Sequence, residues 1–272
     1  MIKEYKERMP EWCFDDVKRF DLVLSDDIDS LSSCVALNII KEYEITHFYN
    51  FNSLYRQEGS EKHKLIGVDM DLIHRRSFGN HPVGVNNNKG ANLNIIEGIN
   101  TNNYTKKYAG SCILTILSLY DVDISQLTEE AKMVLLSIDA SFKMYGFNKD
   151  NCRKWIKDIL GFDELYELLE NHSQQEFYDL IDKYKLYKKI HIDEKGTLET
   201  EIDLQGLSEL FNVSFSMPKN SFIKTNTYHD KGVATADYTA FCKQLKENNK
   251  EIFSQAIVKK TFIKLSYATS YF

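Results

Sequence analysis

The chain has 272 residues, of which 43% are hydrophobic and 12% aromatic, the composition of a folded protein with one large core or two smaller ones. Its net charge of -6 at pH 7 excludes a protein that coats nucleic acid through a broad basic surface, because such a surface needs an excess of Lys and Arg. Five scattered cysteines without a C-x-x-C spacing exclude a zinc ribbon, a thioredoxin-like site and a disulfide framework.

The N-terminal segment 1–20 is charged throughout and lacks the apolar stretch of a signal peptide. No window of the chain reaches the roughly 18 uncharged apolar residues that indicate a transmembrane helix. We therefore expect a cytoplasmic protein without a membrane partner.

The first quarter of the chain alternates between strand and helix patterns. Residues 21–24 are a short apolar run that predicts a buried strand, and 30–43 carry apolar residues at the spacing of a helix packed on a sheet. Two further strand-like runs follow at 46–51 and 64–70. This order predicts an α/β fold with a mostly parallel sheet covered by helices.

The middle of the chain has a helical pattern, and the C-terminal part is mixed. Helices are predicted over 108–120, 127–146, 149–160 and 163–187, the second of them starting at Thr128. After Tyr187 the pattern predicts strands at 188–193, 197–203 and 259–270 and helices at 205–211 and 236–249. The predicted units are a metal-binding domain at 1–148, a helical connector at 149–187 and a smaller mixed α/β substrate-type domain at 188–272.

Acidic side chains stand at the ends of two predicted strands. Asp27 and Asp29 follow the strand at 21–24, and Asp69 and Asp71 end the run at 64–70. In an open parallel sheet, ligands bind outside the carboxyl ends of the strands. Unpaired carboxylates that meet there repel one another unless cations or hydrogen bonds offset their charge. A divalent-metal site at this edge is the simplest explanation.

Two histidines and one further aspartate extend this pattern. His74 and His81 lie shortly after the second acidic pair, and Asp139 lies inside the apolar run 134–142. Oxygen ligands suit Mg²⁺, Ca²⁺ or Mn²⁺, and an added imidazole shifts the preference toward Mn²⁺ or a related transition ion.

Each of these residues also has an ordinary structural explanation. Asp26, Asp27 and Asp29 are placed where carboxylates cap a helix and complement its dipole. Asp139 would lie on the exposed face of an amphipathic helix, and His81 would be exposed in a loop. For each residue taken singly, both explanations stay open.

Taken together, these segments resemble the motifs of the DHH phosphoesterase superfamily, which includes RecJ-like exonucleases, oligoribonucleases, cyclic-dinucleotide phosphodiesterases and family II inorganic pyrophosphatases. The segment SDDIDSLSS at 25–33 is similar to the first motif, with Asp27 and Asp29 in its aspartate places. Asp69, after an apolar strand, matches the second motif. Asp139, followed by a small residue and an aromatic one, resembles the fourth. The resemblance covers about residues 20–145.

The first and third motifs are degenerate. Ser25 stands where many members have a metal-binding His, and Asp26 falls on a variable position, where we expect it to cap the next helix or to face water. The third motif is represented by GNHPV, with Asn80 in the Asp place, His81 in the first His place and Pro82 in the second. The glycine-rich histidine loop of many C-terminal substrate domains is not found.

The resemblance implies a metal-dependent phosphoesterase that hydrolyses a phosphodiester or phosphoanhydride with metal-activated water. Its substrate would be a nucleotide, a cyclic dinucleotide or a short oligonucleotide. Asp69, as the ligand that bridges two ions, and His81 would be the catalytic residues. The cofactor would be Mn²⁺ or Mg²⁺, as one or two ions, and its ligands would be Asp27, Asp29, Asp69, His81 and Asp139.

Three basic side chains are predicted to bind the substrate. Arg75 and Arg76 directly follow the second motif, and arginine pairs with phosphate oxygens through two parallel hydrogen bonds, although a solvated surface pair is the alternative. His229 is the third. An acidic chain suits a phosphorylated small molecule or a short single-stranded nucleic acid better than long DNA. The aromatic segment 47–55 either stacks bases or packs in the core. The oligomeric state stays open, with a homodimer among the alternatives.

Two other functions stay open. Ser25, Asn80 and Pro82 also suit a catalytically degenerate DHH fold that binds a nucleotide or a protein partner. A haloacid-dehalogenase-like phosphatase also begins its site with a strand and Asp-x-Asp, as Asp27 and Asp29 do, but here the helix follows at once and leaves no room for a cap insertion.

Overall fold

The computed structural model of the chain describes residues 1–16, 19–60 and 63–269. Over these residues twelve strands form three sheets. The strands are β1 Phe20–Leu24, β2 Glu44–Tyr49, β3 Ser53–Gln57, β4 Lys64–Val68, β5 Ser77–Phe78, β6 Gly90–Ala91, β7 Ile190–Ile192, β8 Leu198–Thr200, β9 Phe222–Thr227, β10 His229–Ala234, β11 Lys250–Lys259 and β12 Phe262–Thr269.

The same residues contain eleven α-helices, three short 3₁₀ turns and one π-helical segment at Lys154–Ile159. The α-helices are α1 Lys3–Lys6, α2 Ile28–Lys41, α3 Leu93–Ile96, α4 Cys112–Leu119, α5 Glu129–Ser137, α6 Lys143–Phe147, α7 Lys149–Arg153, α8 Asp163–Asn171, α9 Gln174–Lys183, α10 Leu204–Phe211 and α11 Tyr238–Glu247. No helix among the described residues is long and apolar enough to cross a membrane.

The largest sheet has seven strands in the order β6-β5-β4-β1-β2-β3-β9. Its first five strands run parallel, and β3 and β9 are added antiparallel to the edge. This sheet confirms the predicted α/β class with a mostly parallel sheet. The chain leaves β1 toward β2 on one side and returns to β4 on the other, so the topological switch point lies between β1 and β4. In sheets of this kind, the crevice at that point is the usual ligand site.

All five residues of β1 are buried, as expected for a central strand covered on both faces. The next helix, α2, begins at Ile28 because the Asp27 carboxylate accepts a hydrogen bond from the backbone N–H of Ser30, at 3.2 Å. The prediction that Asp26 caps this helix is therefore wrong, and Asp27 is the cap. Asp26 is ion-paired with Lys189 instead.

The helix predicted over 127–146 starts as expected at Thr128, whose hydroxyl accepts a hydrogen bond from Ala131 N–H at 3.2 Å. It is not continuous, however. Asp139 and Ala140 have φ values of 52° and 53°, a left-handed conformation that non-glycine residues rarely adopt. Phe142 N–H donates to Leu136 C=O at 3.0 Å across this turn, so the bond closes a wider turn than the helical ladder does. The apolar spacing runs on through the break, so periodicity alone predicts one helix.

The C-terminal part of the chain contains more strand than its pattern predicts. Within the segment predicted as one strand at 259–270, residue 270 lies outside the described residues, and the rest is the last residue of β11, a turn at 260–261 and the strand β12. The strands β9, β10 and most of β11 were not predicted. β9 pairs with β3 and so extends the first sheet, while β10, β12 and β11 form a sheet of their own. The domain boundaries at 148 and 187 stay a prediction.

All five cysteines are free thiols, and four of them are buried.

Candidate active site

A cleft of about 150 Å³ opens at the carboxyl ends of β1 and β4, which is the topological switch point of the sheet. One wall carries the acidic and imidazole side chains that follow these strands, together with Asp139 from the α5–α6 turn. The opposite wall comes from the three-stranded sheet and contributes Asp230, Gln255 and Lys264. The fold therefore brings together Asp27, Asp69, Asp71, His81 and Asp139.

Asp69 lies at the centre of the acidic wall. It directly follows Val68 of β4, and its backbone is left-handed, with φ 54°, so the chain turns sharply as the strand ends. The only side-chain hydrogen bond that its carboxylate makes among the described residues is a long one, from Ser25 Oγ at 3.5 Å. Enclosure by the protein raises the pKa of Asp69 well above its usual value, and the charges of Asp27, Asp29 and Asp139 raise it further.

Asp27 uses its two oxygens differently. One oxygen caps α2, and the other accepts an ion-pair contact from Lys189 Nζ at 3.1 Å. The same ammonium group lies 3.0 Å from Asp26, and Ile190 N–H donates to Asp26 C=O at 2.7 Å. These contacts hold Lys189 and Ile190, at the start of β7, against the edge of the cleft. Burial acts to lower the pKa of Lys189, but the charges of Asp27 and Asp26 outweigh it and the pKa is raised.

Asp29 does not line the cleft, although only Ile28 separates it from Asp27 in the sequence. It is 2% exposed, and its carboxylate accepts hydrogen bonds from the backbone N–H groups of Cys112 at 2.6 Å and Ile113 at 2.9 Å. These are orphan donors at the start of α4, which has no side-chain cap of its own. Burial and the charges of Asp139 and Asp27 raise the pKa of Asp29 despite these bonds. The structure therefore gives Asp29 the role of an anchor between α2 and α4.

Asp139 reaches the cleft because of the left-handed turn between α5 and α6. The Nδ2 group of Asn80 donates to Asp139 at 3.0 Å and to Asp29 at 3.4 Å, so one amide bridges the two carboxylates. The surrounding protein raises the pKa of Asp139 to about 6; His81 opposes this shift, and Asp27 adds to it. The Oδ1 atom of Asn80 is buried and has no hydrogen-bond partner among the described residues.

His81 is held by an aspartate that the residue-level predictions left out of the site. Asp71 contacts His81 Nδ1 at 3.0 Å, and Asn92 Nδ2 donates to Asp71 at 2.8 Å and to the His81 carbonyl at 2.8 Å. Burial lowers the pKa of His81, but the hydrogen bond and charge of Asp71 outweigh it, so the net shift is upward. With Nδ1 engaged in this way, Nε2 is the nitrogen that remains for a ligand. A carboxylate behind a histidine is the usual support of a metal-ligating imidazole.

The three predicted substrate-binding residues do not line this cleft. Arg75 is exposed, with its guanidinium 6.0 Å from the Phe253 ring, and that of Arg76 lies 5.4 Å from the Phe20 ring. His229 stacks on Tyr267, with ring centroids 5.2 Å apart.

Two cations that sequence reasoning did not single out lie at the cleft instead. Lys264 lines it from β12, 3.9 Å from Asp230 and 6.0 Å from the ring of Phe51. Lys189 reaches its rim through Asp27. The alternation of polar and apolar residues in β12 was a signal for Lys264, but no local pattern pointed to Lys189.

The donor atoms at the cleft fit a hard divalent cation in their chemistry. The carboxylates of Asp27 and Asp69, which are partly buried, the exposed carboxylate of Asp139 and one imidazole are the ligand types that Mn²⁺ and Mg²⁺ take, and the orphaned Asn80 oxygen is a further acceptor. Within residues 1–16, 19–60 and 63–269, no group of three or more His, Cys, Asp or Glu side chains is already arranged around one point as a metal-ligand set. An ion would have to draw the side chains together. Comparison of the chain with family models, with curated proteins and with solved structures finds no match.

Proposed function

We propose that the protein is a metal-dependent phosphoesterase that hydrolyses a phosphodiester or phosphoanhydride of a nucleotide, cyclic dinucleotide or short oligonucleotide. The observation that carries this proposal is the convergence of Asp27, Asp69, Asp139 and His81 on one cleft at the sheet's switch point. A purely structural role would pair such charges with nearby donors, as happens for Asp29. The Asp69 carboxylate has instead one long side-chain hydrogen bond and four acidic neighbours that raise its pKa.

The proposed ligands of Mn²⁺ or Mg²⁺ are Asp27, Asp69, Asp139 and Nε2 of His81. A bound divalent ion supplies an activated water and neutralises charge on phosphoryl oxygens. Asp71 would keep the imidazole of His81 oriented toward the cleft. Lys264 would attract an anionic substrate into the acidic cleft, because it lines the same cleft as Asp69.

The proposed site contains fewer residues than the set predicted from the sequence. Asp29 is left out of the ligand set because its oxygens already accept two backbone hydrogen bonds. The same bonds disfavour a haloacid-dehalogenase-like phosphatase, since the second aspartate of Asp-x-Asp would need a free carboxylate in the site. Arg75, Arg76 and His229 would contact only a substrate that extends beyond the cleft.

A second candidate is a catalytically degenerate protein of the same fold that binds a nucleotide or a protein partner. The ion pair between Lys189 and Asp27 favours this candidate, because an ammonium group already offsets part of the charge that a metal ion would neutralise. Ser25 also favours this candidate, because it occupies the place of a metal-binding His. Its Oγ donates a long hydrogen bond to the Asp69 carboxylate.

Metal titration combined with turnover distinguishes the two candidates. Calorimetric titration with Mn²⁺ and Mg²⁺ measures the affinity and stoichiometry, and bis-p-nitrophenyl phosphate, pyrophosphate and short oligonucleotides serve as substrates. For the phosphoesterase we expect saturable Mn²⁺ binding and hydrolysis, both lost in Asp69→Asn and in Asp139→Asn. Asp150→Asn, an exposed carboxylate outside the cleft, is the matched control and should leave both unchanged.

Two outcomes would contradict the proposed phosphoesterase activity. Hydrolysis that is equal in wild type and Asp69→Asn would place any activity elsewhere. Nucleotide binding without turnover, at saturating Mn²⁺, would select the degenerate binding protein.

A further inference from the structure

A second pocket adjoins the acidic cleft on the side of α6. It measures about 450 Å³ and shares His81 and Asp139 with the cleft. Lys107, from the segment before α4, and Lys143 and Phe147, from α6, also line it. The described residues around it include two lysines and one carboxylate, whereas those around the cleft include one lysine and five carboxylates. We therefore call it the basic pocket.

Neither lysine of the basic pocket forms an ion pair with another described residue. The Nζ atom of Lys107 lies 4.9 Å from the centroid of the Tyr104 ring, and that of Lys143 lies 5.2 Å from the centroid of the Tyr178 ring. An ammonium group that contacts ring faces and no carboxylate keeps its charge for an anionic ligand. The basic pocket thus offers two such groups beside a cleft that is itself acidic.

The charge of Lys107 reaches the wall that the basic pocket shares with the cleft. Burial has the largest effect on the pKa of both His81 and Asp139, and Lys107 is among the charges that act to lower both pKa values. Such an effect requires the ammonium group to lie near the two side chains, because charge interactions weaken with distance and are screened by water. A phosphate held by Lys107 would therefore lie beside two of the proposed metal ligands.

The cleft alone is too small for a nucleotide. Its volume of about 150 Å³ is that of a cavity that holds benzene, which is room for a phosphoryl group. Sites for drug-sized ligands measure about 300–1,000 Å³, and the basic pocket falls in this range. A nucleotide whose phosphoryl group lies in the cleft must extend out of it, and the basic pocket is directly adjacent at His81 and Asp139.

Phe147 gives the basic pocket an exposed aromatic ring. It is 72% exposed, more than any other large hydrophobic residue in the described part of the chain. It lies four residues after Lys143 on α6, so the two side chains project from the same face of the helix. Bases stack on exposed aromatic rings while cationic groups hold the phosphates of the same strand. The basic pocket combines both elements.

We propose that the basic pocket binds a nucleoside monophosphate part of the substrate, with the base stacked on Phe147 and the phosphate paired with Lys107 and Lys143, while the scissile phosphate lies in the cleft. The identity of the scissile group rests on the phosphoesterase proposed above. Among the substrates named there, this arrangement selects those with a nucleoside and a second phosphate beyond the scissile bond. A dinucleotide is the smallest of them, and pyrophosphate is excluded.

Binding is tested in metal-free protein and in Asp69→Asn, where hydrolysis does not contribute. The probes are 5′-AMP and 3′-AMP, which represent the two polarities of a bound nucleotide, and adenosine, which lacks the phosphate. Titration calorimetry at low ionic strength should give saturable binding of the better monophosphate with a dissociation constant of about 0.1–1 mM. Adenosine should bind about tenfold more weakly, because it makes no charge-assisted hydrogen bonds to the lysines.

Substitutions on α6 separate the two contacts, and both positions are exposed, so the fold should persist. Lys143→Gln should weaken AMP about fivefold and adenosine hardly at all. Phe147→Leu should weaken both probes about fivefold, and Phe147→Trp should retain both, because stacking needs a ring face. Lys149→Gln and Tyr187→Leu, at exposed positions outside the pocket, are the matched controls and should change neither affinity.

The Mn²⁺-loaded enzyme provides the second arm. AMP should inhibit hydrolysis of a diadenylate competitively, and Lys143→Gln should raise the inhibition constant by the same factor as the dissociation constant. AMP binding that is weakened in Lys143→Gln and Phe147→Leu, in a protein that hydrolyses no phosphoester, would uphold the basic pocket and reject the phosphoesterase. Hydrolysis without AMP binding would overturn the proposal, as would AMP binding insensitive to both substitutions or inhibition that is not competitive.

Discussion

Aspartate side chains on the two sides of the first turn of α2 have opposite surroundings. On the face toward α4, Asp29 is buried and accepts two short backbone hydrogen bonds. On the face toward the cleft, Asp27 shares a single lysine with Asp26, and Asp69 receives one long hydrogen bond. The first arrangement uses a carboxylate to join two helices. The second leaves negative charge only partly compensated at the switch point of the sheet, which is a cost to stability that function can explain.

The largest effect we expect comes from the anchoring face. Asp29→Ala removes the acceptor for both Cys112 and Ile113 N–H groups and leaves them buried, so the free energy of unfolding should fall by about 2–4 kcal/mol. Urea denaturation of metal-free protein measures it. The control Asp150→Ala, at an exposed position, should change the value by less than about 0.5 kcal/mol. A loss of metal affinity without loss of stability in Asp29→Ala would instead make Asp29 a ligand.

On the cleft side, removing a carboxylate should raise the free energy of unfolding instead of lowering it. Asp69→Asn keeps the shape of the side chain and removes a charge that four neighbouring carboxylates disfavour, so metal-free protein should become more stable by about 0.5–2 kcal/mol. Adding Mn²⁺ at a hundred times its dissociation constant should stabilise wild type by about 2.7 kcal/mol and leave the variant unchanged. Destabilisation by Asp69→Asn similar to that of Asp29→Ala would remove the distinction between the two faces.

The contrast between the faces was only partly visible in the sequence. Apolar runs that end in aspartates located β1, β4 and the acidic edge, because strand burial and strand ends are local properties. The orientation of Asp29 was not predictable, since its partners Cys112 and Ile113 lie more than eighty residues away in the chain. Lys189 meets Asp27 across a still longer separation.

Backbone conformation set a second limit on prediction. The left-handed turn at Asp139 and Ala140 contains no glycine, so neither composition nor periodicity marked the end of α5. The strands β9 and β10 are mostly polar and exposed, and their pattern does not differ from that of a loop. Their strand conformation depends on pairing, of β9 with β3 and of β10 with β12.

The smallest and most gradual effect should be a pH dependence that separates the two faces again. The pKa of Asp139 is about 6 in the folded protein, against about 3.9 in an unfolded chain. Between these values the folded state holds a proton that the unfolded state has lost, so this group's contribution to stability is full below pH 4 and is lost as the pH rises through 6. The difference in free energy of unfolding between Asp139→Asn and wild type should therefore grow in favour of the variant from pH 4 to pH 7 in metal-free protein. With saturating Mn²⁺ that trend should reverse, because metal binding requires the deprotonated carboxylate and strengthens with pH. Urea denaturation at several pH values, with and without Mn²⁺, measures both trends. A difference that stays constant with pH would mean that Asp139 titrates as a solvated surface carboxylate and takes no part in the acidic cleft.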